Sequence, residues 1–127
     1  MVTVGKQHVV YAMSGDNHPV INADSGSRII FETCDCFSDQ ITSQDTVFNE
    51  LDWQRINPAT GPVFINQAEP GDLLKVEINS ITLTREHAVM VTAPKLGVLG
   101  DQLTAPEVAI VPLEDNHALL AGEVKVP

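Results

Sequence analysis

Cysteine, basic residues and long apolar runs are all scarce in this sequence. The two cysteines, Cys34 and Cys36, are one residue apart, and alternate residues of a strand hold their side chains parallel, so a relaxed disulfide between them is disfavoured. No stretch approaches the ~18 apolar residues of a membrane-spanning helix. No basic start followed by an apolar run marks a secretory signal. These absences predict a cytoplasmic protein that folds without disulfides.

Positive charge is also in short supply. The chain has 17 acidic residues against 7 basic ones, which gives a formal net charge of −10. A field of this sign repels phosphate backbones and anionic lipid, so nucleic acids and membrane surfaces are excluded as expected partners. Cations and neutral small molecules remain compatible with it. A chain of 127 residues that is 43% hydrophobic fits one domain, residues 1–127, with its own core.

Turn-forming residues recur at short intervals between stretches rich in Val, Ile, Leu and Phe. This punctuation is typical of a β-sandwich or barrel. The predicted strands span residues 9–13, 28–33, 63–65, 73–83, 108–113 and 117–121. Within residues 73–83 the apolar parity reverses after Ser80, which predicts a bulge that bends the strand. Curved strands suit a jelly-roll-like sandwich, so the sequence predicts an all-β fold of that kind.

Three segments depart from this pattern or extend it. Residues 46–55 place apolar side chains at helical spacing, with Asp45 as the N-cap, and predict a short helix or helical turn. Residues 86–107 mix apolar pairs with Pro and Gly and predict a long irregular connection, which in compact domains is often functional. Residues 123–127 form an apolar, strand-like ending.

Two carboxylates near the predicted strand 28–33 are candidates for hydrolytic chemistry. Glu32 and Asp35 have opposite parity, so a regular strand points them to opposite faces. Asp35 is favoured because it lies where the strand pattern breaks, and sites tend to lie in loops at strand ends. Capping of a turn is its alternative role. Cys34 and Cys36 give only half of a structural zinc site and are interpreted as small buried hydrophobes.

Histidines are few and scattered. They lie at positions 8, 18, 87 and 117, and none shows the i, i+4 spacing of a metal-binding pair. His18 is the preferred ligand among them because the turn at residues 16–19 clusters polar groups. An ordinary surface or core histidine is the alternative for each.

A Pro-Gly-rich segment at residues 57–62 is the remaining candidate. Asn57, Thr60 and Gly61 are predicted to build a tight turn. Asn57 precedes a proline and is therefore expected to be extended, whereas Gly61 supplies conformational freedom before the next proline. The functional alternative is that backbone groups of this loop line a substrate pocket.

Three stretches, taken in order, resemble the acetamidase/formamidase family. Residues 28–37 read RIIFETCDCF and look like its FET-x-D-x-F stretch. Residues 57–65 read NPATGPVFI and are similar to its NP-x-TGP element. Residues 68–78 read AEPGDLLKVEI and match its A-E-PGD-x-L-x-V-x-I run. Order and spacing make the resemblance specific over residues 28–83; near residues 94–101, Lys95 replaces a small residue of the family's Gly-rich loop.

The resemblance implies an enzyme of about twice this length, with this chain as the N-terminal half of a larger two-part fold that is jelly-roll-like in this half. Such enzymes hydrolyse formamide and acetamide to ammonia and the acid and are thought to use a metal. The expected partners are a small amide, the C-terminal half of the same protein and further copies in a homo-oligomer. The expected site comprises Asp35 and Glu32 as catalytic residues, Asn57, Thr60 and Gly61 as substrate-binding residues, and Asp35 and His18 as ligands of a divalent metal, with zinc preferred over calcium.

Two expectations follow for the isolated chain. It is expected to be inactive, because a site built by both halves would be incomplete. An interpretation from a different class also stays open: a non-catalytic acidic β-sandwich module that binds a small ligand or calcium. The shortness of the chain and its charge of −10 favour that alternative.

Overall fold

Short strands make up most of the regular structure in the computed structural model, which describes residues 1–121 and 123–127. Within these residues the strands are β1 Val2–Val4, β2 Val9–Val10, β3 Ile21–Ala23, β4 Ile29–Phe31, β5 Ala59–Thr60, β6 Val63–Ile65, β7 His87–Thr92, β8 Glu107–Glu114, β9 His117–Leu120 and β10 Val124–Val126. The helical elements described are 3₁₀ turns at Phe48–Glu50, Trp53–Arg55 and Gly100–Gln102. The predicted all-β class is therefore confirmed.

The chain divides into two compact units. The first consists of Met1–Gln40 and Asp52–Val76, and the second of Ile41–Leu51 and Glu77–Pro127. Each unit has sheets of its own. The single domain and the jelly-roll arrangement stay predictions.

Three two-stranded ladders build the first unit. β1 pairs with β4 and β3 pairs with β6, both in parallel, whereas β2 and β5 are antiparallel. The strands are rich in β-branched residues, which fit a pleated surface. Val4 and Ala23, the last residues of β1 and β3, are buried and form the small core. The parallel pairs bring residues 21–31 beside segments distant in sequence, which positions the loop after β4.

A four-stranded antiparallel sheet in the order β10-β9-β8-β7 dominates the second unit. Asp115 and Asn116 join β8 to β9 with φ angles of 49° and 62°. Two successive positive φ values are characteristic of the type I′ turn, whose twist matches that of the flanking strands. Val111 lies buried in β8, and Ala93, Ile41 and Leu51 are buried as well.

Two strand predictions were wrong. Residues 86–107 are not wholly irregular, because β7 occupies His87–Thr92 and pairs along its length with β8. Residues 73–83 form no strand in the described part of the chain, and their apolar side chains are exposed. Apolar alternation shows which residues of a strand would share a face, but a strand also needs hydrogen bonding to a neighbouring strand.

The helical prediction for residues 46–55 is confirmed as a pair of 3₁₀ turns, but the predicted cap is wrong. The first turn follows Val47 without a side-chain cap. The second is capped by Asp52, whose carboxylate accepts a 3.0 Å hydrogen bond from the Gln54 N–H. Among the described residues, no helix has the length and apolar character needed to cross a bilayer.

Candidate functional site

The loop after β4 is held by two aspartates. Asp35 Oδ1 accepts hydrogen bonds from the backbone N–H groups of Phe37 and Asp39, both at 2.9 Å. Asp39 Oδ1 accepts in return from the Asp35 N–H at 3.0 Å. Ser38 and Asp39 adopt φ angles of 54° and 58°, and these bonds hold the chain in that rarely adopted region. The Asp35 carboxylate thus shapes the loop; its catalytic role stays a prediction.

A basic side chain joins this loop from the segment between β1 and β2. Lys6 Nζ lies 2.7 Å from Asp39 Oδ2. The Cys34 thiol donates a long 3.8 Å hydrogen bond to the Lys6 carbonyl. Two separate parts of the first unit's sequence, the segment with Lys6 and the loop after β4, therefore meet around Asp39.

Neither cysteine lies in a strand, so the predicted shared strand face is wrong. Both cysteines are free, and the interpretation of them as buried hydrophobes is wrong, because Cys34 is only half-buried and Cys36 is exposed. Burial raises the pKa of the Cys34 thiol, and the nearby Asp39 charge adds to this. Burial likewise raises the pKa of Cys36, with the Asp35 charge as the second cause. A thiol with a raised pKa is a weak nucleophile at neutral pH, which agrees with a structural role.

A hydrogen-bonded group of Tyr11, Ser38 and Arg55 includes a residue of the same loop. Ser38 Oγ donates to the Arg55 carbonyl at 2.5 Å, and Tyr11 Oη lies 3.2 Å from Ser38 Oγ. Tyr11 Oη also accepts a hydrogen bond from Arg55 Nε at 3.3 Å. The bonds to Ser38 and then Arg55 lower the pKa of Tyr11. Sequence reasoning missed this group, since no motif links positions so far apart.

A cleft of about 480 Å³ opens beside β5 in the same unit. Thr60 and Gly61, two of the predicted substrate-binding residues, line it together with β2 and the loop that follows β2. Thr60 Oγ1 donates to the Glu32 carbonyl at 2.8 Å, and the Gly61 N–H donates to the His8 carbonyl at 2.9 Å. Gly61 has a φ of 130°, a conformation that glycine adopts readily. The cleft wall is therefore fixed by hydrogen bonds on both residues.

The predicted tight turn at residues 57–61 is only partly correct. Asn57 is not extended, because its φ is 56° and its N–H donates to the Cys36 carbonyl at 2.7 Å; asparagine tolerates this left-handed region. Thr60 belongs to β5 rather than to a turn, since β2 pairs with it. Asn57 is exposed and is not among the residues lining the cleft.

The remaining predicted residues do not complete a metal centre within this chain. His18 is exposed in the loop between β2 and β3, and Glu32 is exposed directly after β4. In residues 1–121 and 123–127, no three His, Cys, Asp or Glu side chains converge in a way that would hold an ion. A zinc site takes three or four protein ligands. The described residues alone therefore do not fit a complete site for the expected metal.

A family model described as the acetamidase/formamidase family matches residues 7–120. The curated protein sequences include no significant match to this chain. Among solved structures, a protein of Thermoanaerobacter tengcongensis predicted to be an acetamidase/formamidase is 37% identical, with a TM-score of 0.92. An acetamidase of Bacillus halodurans is 32% identical, with a TM-score of 0.82.

These similarities extend over nearly all of this chain but over less than half of the relatives. The alignments cover 99% and 98% of this chain and 42% of each of the two relatives. An acetamidase of Yersinia enterocolitica shares the fold at 22% identity and a TM-score of 0.73, covering 100% of this chain and 43% of its own. This chain corresponds to part of a larger protein in each comparison.

Proposed function

This chain belongs to the acetamidase/formamidase family, and we propose that it forms part of an enzyme that hydrolyses linear short-chain amides such as formamide and acetamide. The observation that carries the proposal is the family match over residues 7–120. Two solved relatives above 30% identity that align with almost the whole chain support it further. The proposed location is the cytoplasm.

Amide hydrolysis needs an activated water, a polarised carbonyl and a proton for the leaving amine. We assign the cleft beside β5 to amide binding. The Thr60 hydroxyl donates its proton to the Glu32 carbonyl, so its oxygen is left as an acceptor for an amide N–H. Asn57 is proposed to contact the substrate only in the complete enzyme, since it lies outside the cleft lining.

Asp35 and Glu32 are the proposed catalytic carboxylates. Two backbone N–H groups fix Asp35 Oδ1, which gives the carboxylate a set orientation in its loop. Glu32 follows β4 and its carbonyl anchors the cleft residue Thr60. Substitution of Asp35 therefore alters the geometry of its loop as well as its charge, and both effects have to be measured.

A divalent metal remains a proposal for the complete enzyme, with zinc preferred over calcium and with Asp35 and His18 as its ligands from this chain. When bound, such an ion would supply Lewis acidity toward the amide carbonyl. Further ligands would have to come from residues outside the described part of this chain, because no group of three converges there. Metal analysis of the purified complete enzyme tests this directly.

The test of the function is ammonia release from formamide and acetamide. We compare this chain with a protein in which it is joined to the remaining segment that its solved relatives carry. The joined protein is expected to release ammonia and the 127-residue chain is expected to be inactive. If the joined protein releases none from any short amide, the proposal fails.

Tight calcium or ligand binding without hydrolysis would instead favour a binding module. Light scattering of both samples tests the proposed homo-oligomer.

A further inference from the structure

The cleft beside β5 has no charged side chain among the described residues that line it. The polar side chains of its lining are those of Ser14, Asn17 and Thr60, and the apolar ones include Val10 and Pro62. Because the whole chain carries a net charge of −10, an anionic ligand is repelled and meets no compensating cation in this lining. The cleft is therefore suited to an uncharged ligand that has both polar and apolar parts.

Asn17 is held in one orientation by the loop after β2. Its Nδ2 donates to the Ala12 carbonyl at 2.7 Å, and its backbone N–H donates to the Ser14 carbonyl at 3.3 Å. A carbonyl oxygen only accepts hydrogen bonds, so the side-chain nitrogen is the atom that faces Ala12. The orientation of the side-chain amide is thereby set, and its Oδ1 acceptor is left for a ligand.

Thr60 brings a second acceptor to the same cleft from β5. The proton of its hydroxyl is used in the 2.8 Å hydrogen bond to the Glu32 carbonyl, so a ligand meets only the lone pairs of Oγ1. The Ser14 hydroxyl is engaged within its own loop, because it donates to Asp16 Oδ2 at 3.3 Å and accepts from the Asp16 N–H at 3.1 Å. Asn17 and Thr60 are thus two neutral acceptors on two different segments that line one cleft.

We infer that Asn17 is a specificity-determining residue, and that Asn17 Oδ1 and Thr60 Oγ1 together bind the two N–H groups of an unsubstituted amide. A primary amide has two N–H donors, an amide with one N-substituent has one, and a fully N-substituted amide or a carboxylate has none. The cleft therefore selects primary amides and releases the acid that their hydrolysis produces. The inference rests on the proposed function for its choice of an amide as the ligand.

A series of ligands with two, one and no N–H groups tests this selection on the chain of 127 residues. Acetamide, N-methylacetamide and N,N-dimethylacetamide are titrated while the amide signals of Asn17 and Thr60 are followed by NMR. We expect the dissociation constant to rise about fivefold for each N–H that is removed, which corresponds to the loss of one hydrogen bond. Acetate is expected to cause no saturable shift of these signals.

Apolar burial alone predicts the opposite order of affinities. Each methyl group adds apolar surface, so a cleft that recognised only that surface would bind dimethylacetamide most tightly. Equal or tighter binding of the methylated amides would overturn the inference, and so would saturable binding of acetate at the same residues. The absence of a saturable shift with acetamide would overturn it as well.

Variants separate recognition by Asn17 from its role in the loop. Asn17→Ala is expected to weaken binding of acetamide about fivefold and to leave binding of dimethylacetamide nearly unchanged, because the latter has no N–H for the missing acceptor. Equal losses for the two ligands would mean that Asn17 only holds the loop, and would contradict the inference. Thr60→Val removes the other acceptor and is expected to reduce the preference for acetamide in the same way, which provides the test if Asn17→Ala does not fold.

The matched control is Asn22→Ala, the same change at an exposed position of β3 outside the cleft lining. It is expected to leave the affinities for both amides unchanged. Ammonia release by the joined protein separates the inference from the proposed function. Selective binding of acetamide by this chain without ammonia release from the joined protein would count against the amidase function alone. Ammonia release together with equal binding of acetamide and dimethylacetamide would overturn the inference alone.

Discussion

At the residue scale, the aspartate that the sequence motif selects is also the one that shapes its own loop. Asp35 accepts two backbone hydrogen bonds through one carboxylate oxygen, and these span residues with positive φ. Loss of that oxygen leaves two N–H groups in a half-buried loop without their acceptor. A loss of activity in an alanine variant would therefore mix folding with chemistry.

Asp35→Ala is expected to lower the free energy of unfolding by about 1–3 kcal/mol, because two backbone donors lose their partner. Asp35→Asn keeps an acceptor oxygen and is expected to cost less than about 1 kcal/mol. Urea unfolding followed by the fluorescence of Trp53, the single tryptophan, measures both. Equal stability of the alanine variant and the parent would show that the loop does not depend on this carboxylate. Asp35→Asn is then the suitable variant for activity measurements in the complete enzyme.

Tyr11 offers a direct test of its hydrogen-bonded group, because it is the single tyrosine of the chain. Hydrogen bonds to Ser38 and Arg55 lower its pKa, so the deprotonated form is stabilised and ultraviolet absorbance of tyrosinate is expected to rise below the ordinary value of about 10. Ser38→Gly removes the hydroxyl at a positive φ that glycine tolerates and is expected to raise the pKa toward that value.

The control for this titration is Arg28→Gln, which removes one positive charge without touching the group. It is expected to leave the Tyr11 midpoint nearly unchanged, whereas Arg55→Gln is expected to raise it. A parent midpoint at or above the ordinary value, or equal effects of the two arginine variants, would contradict the hydrogen bonding described for Tyr11.

At the element scale, the entry to β6 depends on one glycine. Gly61 has a φ of 130°, which L residues rarely adopt, although its immediate surroundings leave ordinary space for a Cβ. Gly61→Ala is therefore expected to destabilise the first unit by about 1–3 kcal/mol through backbone strain alone. Gly15→Ala is the matched control, since Gly15 lines the same cleft, has no positive φ and meets open space. Urea unfolding compares the two, and equal costs would refute the strain argument.

Sequence patterns predicted elements that carry local signals. β6 was predicted at residues 63–65 and is found there, and β8 and β9 lie within a residue or two of their predicted bounds. Ladders such as β1–β4 and β3–β6 were missed in part because β1 and β3 have only three residues each. A strand of three residues is stabilised by hydrogen bonding to a parallel strand that is distant in sequence. The residues around the short strand do not reveal which segment that partner is.

The candidate site likewise contains residues that the sequence predicted and residues that it did not. Thr60 and Gly61 were selected by motif and do line a cleft. The group of Tyr11, Ser38 and Arg55 could not be predicted, because only the fold joins positions 27 and 44 residues apart. Residues 73–83 show the opposite error: their apolar alternation predicted a strand, but the described residues form none there.

At the scale of the whole molecule, net charge is the property expected to affect the stability of the folded chain. The chain carries 17 acidic and 7 basic residues, and concentrated charge of one sign destabilises a compact state through self-repulsion. Salt shortens the range of that repulsion, from a Debye length of about 30 Å at 0.01 M to about 10 Å at 0.1 M. Stability of this chain is therefore expected to depend on ionic strength in a definite direction.

Raising sodium chloride from 10 to about 200 mM is expected to increase the urea concentration at the unfolding midpoint, because screening relieves repulsion more in the folded state than in the expanded one. Urea is uncharged, so it leaves ionic strength under separate control. A variant with Asp101→Asn and Glu107→Gln, two exposed positions, carries less negative charge and is expected to gain less from the same salt. A midpoint that falls with salt, or an equal gain in parent and variant, would show that specific ion pairs outweigh net repulsion in this fold.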